Sequence, residues 1–279
     1  MKGGLREHGI QKSGSPERPL ISIITVVWNG EAYLERTINS VLGQEYDNVE
    51  YIVVDGASED GTLDIIKQYE DKIDLWVSEP DKGIYDAMNK GIGLCTGDLI
   101  GMINADDHYV EGVFSKIAET AVRHPEKNIF HGDIYIEYGN GHLKTKKARK
   151  PGFLLKYWEM VLNHPSFFVR RELYMDDLYD TELRVNSDHK WTLGSYLKDP
   201  DQFQYISGPL AYFSAGGASM TIPLSQVIKE GNKVSKDLGM TWFERAIGTI
   251  VKLGLYIPQY FKLQFNQFIS PKLKGTEKW

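Results

Sequence analysis

The sequence predicts an α/β fold, an open and mostly parallel sheet with helices on both faces, and three observations carry that prediction. Four apolar, largely β-branched runs alternate with four segments of helical spacing. The connections between them are only a few residues long. The polar interruptions Asn29, Asp55, Asp81 and Asp106/Asp107 fall at the carboxyl ends of the apolar runs, where such sheets bind ligands.

The first run, Leu20 to Val27, reads as a strand buried on both faces. Trp28-Asn29-Gly30 breaks it, and Glu31 to Gln44 then places Tyr33, Leu34, Ile38, Val41 and Leu42 at helical spacing. Val49 to Val54 is a second strand, followed by a helix from Gly61 to Tyr69 with Asp60 as its cap. Ile73 to Val77 and Leu99 to Ile103 are the third and fourth strands; Ile84 to Leu94 and Val113 to Val122 are the next helices. Beyond about residue 125 the pattern changes to a hairpin, Ile129 to Tyr138 and His142 to Thr145, around Gly139-Asn140-Gly141. Short strands at Phe167 to Val169, Tyr205-Ile206 and Leu210 to Phe213 and a helix at Asp188 to Leu197 give a small antiparallel extension. Helices follow from Leu224 to Leu238 and from Trp242 to about Leu255.

A chain of 279 residues is long enough to bury its own core without disulfides or structural metal. Its single cysteine, Cys95, forms no internal disulfide and reads as a small buried hydrophobe in a reducing compartment. Residues 1–19 are polar and rich in Gly, Ser and Pro, lack the apolar core of a secretory signal, and are expected to be a disordered lead-in. Residues 20–220 form the main domain and 221–279 a helical, aromatic tail. That tail holds nine Lys/Arg against four Asp/Glu, whereas the first 220 residues hold 23 against 34. An acidic body argues against bulk nucleic-acid binding, and the basic tail is either a candidate membrane-surface element or a segment that docks against the catalytic domain or a second subunit.

Adjacent carboxylates at a strand end repel unless a cation lies between them, so Asp106-Asp107 reads either as a Mg²⁺ or Mn²⁺ site or as a solvated turn with a helix cap. Asp55 could accept from a base or ribose, or open an Asx turn. Asp81 and Lys82, in Glu79-Pro80-Asp81-Lys82-Gly83, could meet a nucleotide or form a surface turn with a local ion pair. Asp188 stands at a helix start, where the dipole favours an acid whatever its role.

Several of these segments, in order, resemble the family 2 glycosyltransferases of GT-A fold, and in particular those that build bacterial capsules, exopolysaccharides and O-antigens. The similarity runs from about Leu20 to Ser219. It is carried by Ile23-Ile24-Thr25-Val26-Val27-Trp28-Asn29-Gly30, by Val53-Val54-Asp55-Gly56-Ala57-Ser58, by Asn104-Ala105-Asp106, and most specifically by Ser78-Glu79-Pro80-Asp81-Lys82-Gly83-Ile84-Tyr85-Asp86-Ala87-Met88-Asn89-Lys90-Gly91.

The resemblance implies an inverting transferase, peripheral or free in the cytoplasm, that takes a UDP-sugar donor and a saccharide or lipid-linked acceptor. Thr25, Val27 and Asn29 would line the base and ribose pocket, with Asp55 and Asp81 on the base. Lys82 and Gly83 would lie near the nucleotide, supported by Asn89 and Lys90. Asn104-Ala105-Asp106 stands where the family carries Asp-x-Asp; Asp106 would bind the metal, Asn104 the ribose, and Asp107 would face the donor sugar or ribose. One charge of the usual pair is missing at Asn104. Asp188 would be the base on the acceptor hydroxyl, with His164 and Arg170 touching acceptor or diphosphate, and Gly216-Gly217-Ala218-Ser219 would close over the donor. Two other readings compete: a nucleotidyltransferase, which would usually carry a glycine-rich basic loop after its first strand, and a non-catalytic nucleotide-sugar binder, which would not need Asp106 or Asp188.

Overall fold

A computed structural model describes residues 1–216 and 223–255. One ten-stranded sheet runs through the molecule in the order β1-β4-β3-β2-β5-β9-β7-β10-β6, with β8 hanging from β7. The strands are β1 Lys2–Gly3, β2 Ile21–Val27, β3 Val49–Asp55, β4 Leu75–Ser78, β5 Leu99–Asn104, β6 His108–Tyr109, β7 Ile129–Glu137, β8 Leu143–Lys146, β9 Phe168–Arg170 and β10 Phe203–Ser214. The helices are α1 Leu34–Leu42, α2 Thr62–Gln68, α3 Ile84–Leu94, α4 Val113–Arg123, α5 Phe153–Tyr157, α6 Arg171–Asp176, α7 Ser187–Lys198, α8 Leu224–Asp237 and α9, helical from 242 to 255.

The centre, β4-β3-β2-β5, is parallel and in uninterrupted register. Its strands are buried on both faces because alternate residues serve two cores. Ile21 and Ile23 pack with Leu34, Ile38 and Val41 of α1, Ile66 of α2 and Phe114 of α4. Ile24 and Val26 point the other way, onto Met88 and Ile92 of α3 and, further out, Tyr174 and Trp191. Cys95 is buried on this second side, its thiol donating to the Gly91 carbonyl at 3.2 Å.

The first and second halves of the sheet meet through the short strand β9. It pairs antiparallel with β5 over three residues and with β7 over two. Gly101 is required here: a β-carbon would lie 2.7 Å from the Phe168 ring. Beyond β9 the extension is mixed. The β7–β8 hairpin is antiparallel as expected, but β10 runs parallel to β7. The two short strands expected near Tyr205 and Leu210 form one strand, with register shifts between Ile206 and Pro209 and between Pro209 and Ala211.

The lead-in expected to be disordered is laid against the domain. β1 pairs with the edge strand β4, and the Met1 ammonium donates to the Ser78 carbonyl at 2.6 Å. Arg6 donates to the Leu94 carbonyl, and Lys12 to both the Val49 carbonyl and the Asp74 carboxylate. Composition misleads here because the anchoring comes from an open sheet edge and from two cations meeting acceptors on the domain.

At the other end, α9 turns its polar side inward. Glu244 pairs with Lys156 at 2.6 Å, Thr249 donates to Asn232, and Lys252 is buried, while Trp242, Phe243 and Ile250 remain 74, 60 and 70 % exposed. No helix among the described residues is long and apolar enough to cross a membrane. Gly217 to Ser219 and the tail from 256 onward lie outside the described residues.

Candidate active site

The carboxyl ends of the parallel strands enclose a cavity of about 440 Å³. Val27 ends β2 and Asn29 and Gly30 follow it, Asp81 and Gly83 precede α3, and Asn104, Ala105 and Asp106 close β5; Phe213 reaches in from β10. Three large apolar side chains on its lining, Trp28, Tyr33 and Ile84, stay exposed at 69, 60 and 42 %. Apolar faces left in water around a polar floor are what a flat ring would cover.

The turns that shape the cavity are pinned by short polar bonds. Asn29 adopts a left-handed backbone (φ 50°) that Asn tolerates, and its side-chain oxygen accepts from the Glu59 N–H at 2.9 Å. Asp55 is fully buried and accepts from the Ser78 hydroxyl at 2.7 Å and from the Ser58 N–H at 3.2 Å. Its carboxylate therefore fastens two turns together and does not line the cavity. Gly56 leaves room for the Asp81 loop: a β-carbon there would stand 2.5 Å from an Asp81 carboxylate oxygen. Lys90 reaches back from α3 to the Pro80 carbonyl at 2.8 Å and to Glu79 at 3.0 Å, bracing the Glu79-to-Gly83 loop from beneath. The Lys82 side chain is exposed and outside the cavity lining; its N–H donates to Asp86 at 3.0 Å.

Two expected contacts are displaced by strand geometry. Thr25 faces the interior, with its hydroxyl 3.0 Å from that of Tyr51, one layer beneath the cavity. Asn89 lies further along α3 and spends its amide on both backbone groups of Tyr179, at 2.8 and 3.0 Å.

The loop after β5 is held from two sides. Thr37 of α1 donates to the carbonyls of Ala105 and Asp107, at 2.7 and 2.6 Å. Ser214, at the end of β10, donates its hydroxyl to the Asp106 carbonyl and its N–H to the Asp107 carboxylate. Neither residue stood out in the sequence, since a lone Thr or Ser carries no spacing signal.

The tight turn separates the fates of the two acids. Asp106 lines the cavity, and burial raises its pKa with no cation among the described residues to offset it. Asp107, expected to face the donor, is instead 1 % exposed and turned beneath the loop. One of its oxygens finds no partner among the described residues, and burial with the neighbouring Asp106 charge raises its pKa well above the carboxylate range.

This donor set fits a hard divalent cation shared with a diphosphate. Asp106 gives one carboxylate and Asn104 stands beside it, while no group of three or more His, Cys, Asp or Glu converges among the described residues. Mg²⁺-like ions are commonly held by one or two carboxylates, with substrate phosphates completing the shell.

Asp188 opens α7 on the side of the sheet where α3 packs. The hydroxyl of Tyr85, next to the cavity-lining Ile84, donates to one Asp188 oxygen at 3.0 Å, and the His189 N–H donates to the same atom at 2.8 Å. His164 meets the Tyr179 hydroxyl at 2.8 Å, and Tyr179 in turn meets that of Tyr174 at 2.9 Å. Burial keeps His164 below its ordinary pKa, against the pull of Asp188, so the imidazole is neutral at pH 7.

Arg170 is misplaced by the sequence reading. Because β9 runs antiparallel, Arg170 pairs with Leu99 at the amino end of β5, the end away from the cavity. Its guanidinium donates to the carbonyls of Lys127 and Ala121 and serves the fold. A larger hollow of about 580 Å³, lined by His131, Arg149, Tyr196 and Tyr205, contains none of the strand-end residues.

The strand order, with its turn-built cavity at the carboxyl ends of the parallel strands, is the GT-A fold. Residues 22–178, more than half of the chain, match the family described as Glycosyl transferase family 2, and the chain belongs to that family.

Among relatives, the uncharacterized glycosyltransferase Rv1514c of Mycobacterium tuberculosis is 40 % identical over 92 residues, 33 % of this chain and 35 % of that protein. The PGL/p-HBAD biosynthesis glycosyltransferase Rv2957 of the same organism is 28 % identical over 217 residues, 76 % of this chain and 83 % of that protein. Bacillus subtilis TuaG, a putative teichuronic acid biosynthesis glycosyltransferase, is 35 % identical over 105 residues, 37 % of this chain and 42 % of that protein.

Two solved structures share the fold. S. aureus TarS 1-349 in complex with UDP superposes with a TM-score of 0.61 at 17 % identity, covering 81 % of this chain and 68 % of that one. The mannosyltransferase PcManGT from Pyrobaculum calidifontis, in complex with GDP-Man and Mn²⁺, gives 0.58 at 16 % identity, covering 89 and 74 %.

Proposed function

We propose that the chain moves a hexosyl or N-acetylhexosaminyl group from a UDP-sugar, with inversion, to a saccharide or lipid-linked saccharide in cell-surface polysaccharide synthesis. The observation that carries this reading is the convergence of Val27, Asn29, Asp81, Gly83, Asn104 and Asp106 on one cavity, from segments up to 80 residues apart in sequence. UDP in the TarS structure and the teichuronic acid biosynthesis named for TuaG support the donor and acceptor classes.

In this reading Asp81 and the ring faces of Trp28 and Tyr33 take the nucleoside, and Asn104 takes the ribose. Asp106 holds Mg²⁺ or Mn²⁺, which when bound supplies charge neutralisation on the diphosphate leaving group. Asp188 accepts the proton of the acceptor hydroxyl as that oxygen attacks the anomeric carbon from the face opposite the diphosphate. His164, neutral and close to Asp188, borders the acceptor. Asp55, Asn89 and Lys90 act on the donor through the turns they fasten. The exposed apolar side of α9, with the basic residues that follow it in sequence, would rest on an anionic membrane and bring the cavity to a lipid-linked acceptor.

The decisive experiment is a thermal-shift screen of UDP- and GDP-sugars with Mn²⁺, followed by a product assay on the donors that bind. A UDP-sugar should raise the melting temperature by mass action. Absence of any shift across the panel would sink the reading. Liposome co-sedimentation of the full chain against Trp242→Asp/Phe243→Asp tests the membrane contact, and equal binding by both would remove it.

A further inference from the structure

We propose that Tyr85 is the positioning residue for Asp188: its hydroxyl fixes one carboxylate oxygen, so that the other is presented to the acceptor hydroxyl. The inference rests on the reading of Asp188 as the base.

The geometry carries it in three steps. First, both bonds to Asp188 fall on one oxygen: the Tyr85 hydroxyl at 3.0 Å and the His189 N–H at 2.8 Å. The second oxygen makes no hydrogen bond among the described residues, so it stays open for a proton. Second, Tyr85 is held rigidly. It is 8 % exposed, its ring packs on that of Tyr179 with centroids 5.6 Å apart, and three residues further along the same helix Met88 is buried in the same core. Third, Tyr85 follows Gly83 and Ile84, which line the donor cavity. One turn of α3 therefore touches the donor and the base together. Asn89, one turn further, bolts α3 to the Tyr179 backbone.

A phenol suits this task better than a histidine or a lysine. Burial beside Asp188 keeps its proton on far above neutral pH, so it is a donor at every working pH. The groups facing Asp188 are Tyr85 from α3, Lys146 from β8, His164, Tyr174 from α6, Tyr179 and its own neighbour His189. Among the described residues, Tyr85 is the one that donates to it through a side chain.

The test reads the carboxyl directly and needs no substrate. In full-length chain labelled with ¹³C at aspartate carboxyls, the Asp188 signal is assigned by its loss in Asp188→Asn, and its isotope shift between H₂O and D₂O is recorded. Tyr85→Phe, which keeps the ring, should leave a smaller isotope shift, since only the His189 N–H then remains on the carboxylate. Tyr179→Phe, which removes a hydroxyl bonded to His164 and Tyr174, should leave it in place. An isotope shift unchanged in Tyr85→Phe overturns the proposal. Should Tyr85→Phe not fold, the wild-type chain still answers: the Tyr85 hydroxyl proton should show a nuclear Overhauser contact to the Asp188 β protons, and its absence also overturns the proposal. If Asp188→Asn keeps full transfer, the base assignment falls by itself, and the isotope shift still reports whether Tyr85 holds the carboxylate.

Discussion

In the first half of the molecule, from β2 to α4, the residues at the site are delivered by the ends of parallel strands and by tight turns. In the second half they are delivered by side-chain bonds. Asn29, Asp81 and Asp106 occupy their places because β2, β4 and β5 stop at one edge. Asp188 and His164 are held by the hydroxyls of Tyr85 and Tyr179. A backbone-built site tolerates changes in its neighbours, since the strand ends remain where the sheet puts them. A site built from side chains depends on individual hydroxyl groups.

The comparison can be broken or sharpened by substitution. Asp188→Asn should have the largest effect, cutting transfer by about 10²–10⁴-fold with UDP affinity unchanged. Steady-state transfer alongside UDP calorimetry checks this, and a parallel loss of UDP affinity would mean that the halves are not separable.

Asp106→Asn should act on the opposite half, weakening Mn²⁺-dependent UDP binding by about 10–100-fold while sparing metal-free binding. Titrations with Mn²⁺ and with chelator would show it. Because burial raises the Asp106 pKa, that metal dependence should fade on acidification at a pH above that of an ordinary aspartate.

Gly101→Ala strikes the seam. Its β-carbon would meet the Phe168 ring at 2.7 Å, an overpacking worth about 1–3 kcal/mol and several degrees of melting temperature. An unchanged melt would show that β9 can shift without cost.

Asp107→Asn should be the mildest change and depends on pH. The folded pKa of Asp107 lies above its unfolded value, so the native state binds the proton more tightly and loses stability as pH rises from about 4 through the folded pKa. Removing the ionisation should therefore raise the melting temperature at pH 8 by about 2–4 °C and leave pH 4 almost unchanged. Equal shifts at both pH values would contradict the assignment.

The parallel half was legible because β-branched runs flanked by Asn and Asp announce strands and where they stop. Val27, Asn29, Asp81, Gly83, Asn104, Ala105 and Asp106 were all readable as strand-end or turn residues and share the cavity. Errors arose where position along the chain and direction in space diverge. Thr25 lies two residues from the cavity-lining Val27 but one layer down, and Arg170 was sent to the far edge by the reversal of β9. Asp107 adjoins Asp106, yet one step round a tight turn exchanges cavity for interior. Tyr85, Thr37 and Ser214 were invisible as site residues because each acts on a partner more than 60 residues away in sequence.

The narrowness of β9 has a mechanical consequence. β2 is laced to β3 by seven paired residues and to β5 by six, whereas β9 offers three to β5 and two to β7. Under load applied across the sheet, strands unzip pair by pair, so the line through β9 should yield first. In a pulling experiment with handles on β3 and β7, the trace should show an early rip at that line, with β2, β3 and β5 still folded behind it.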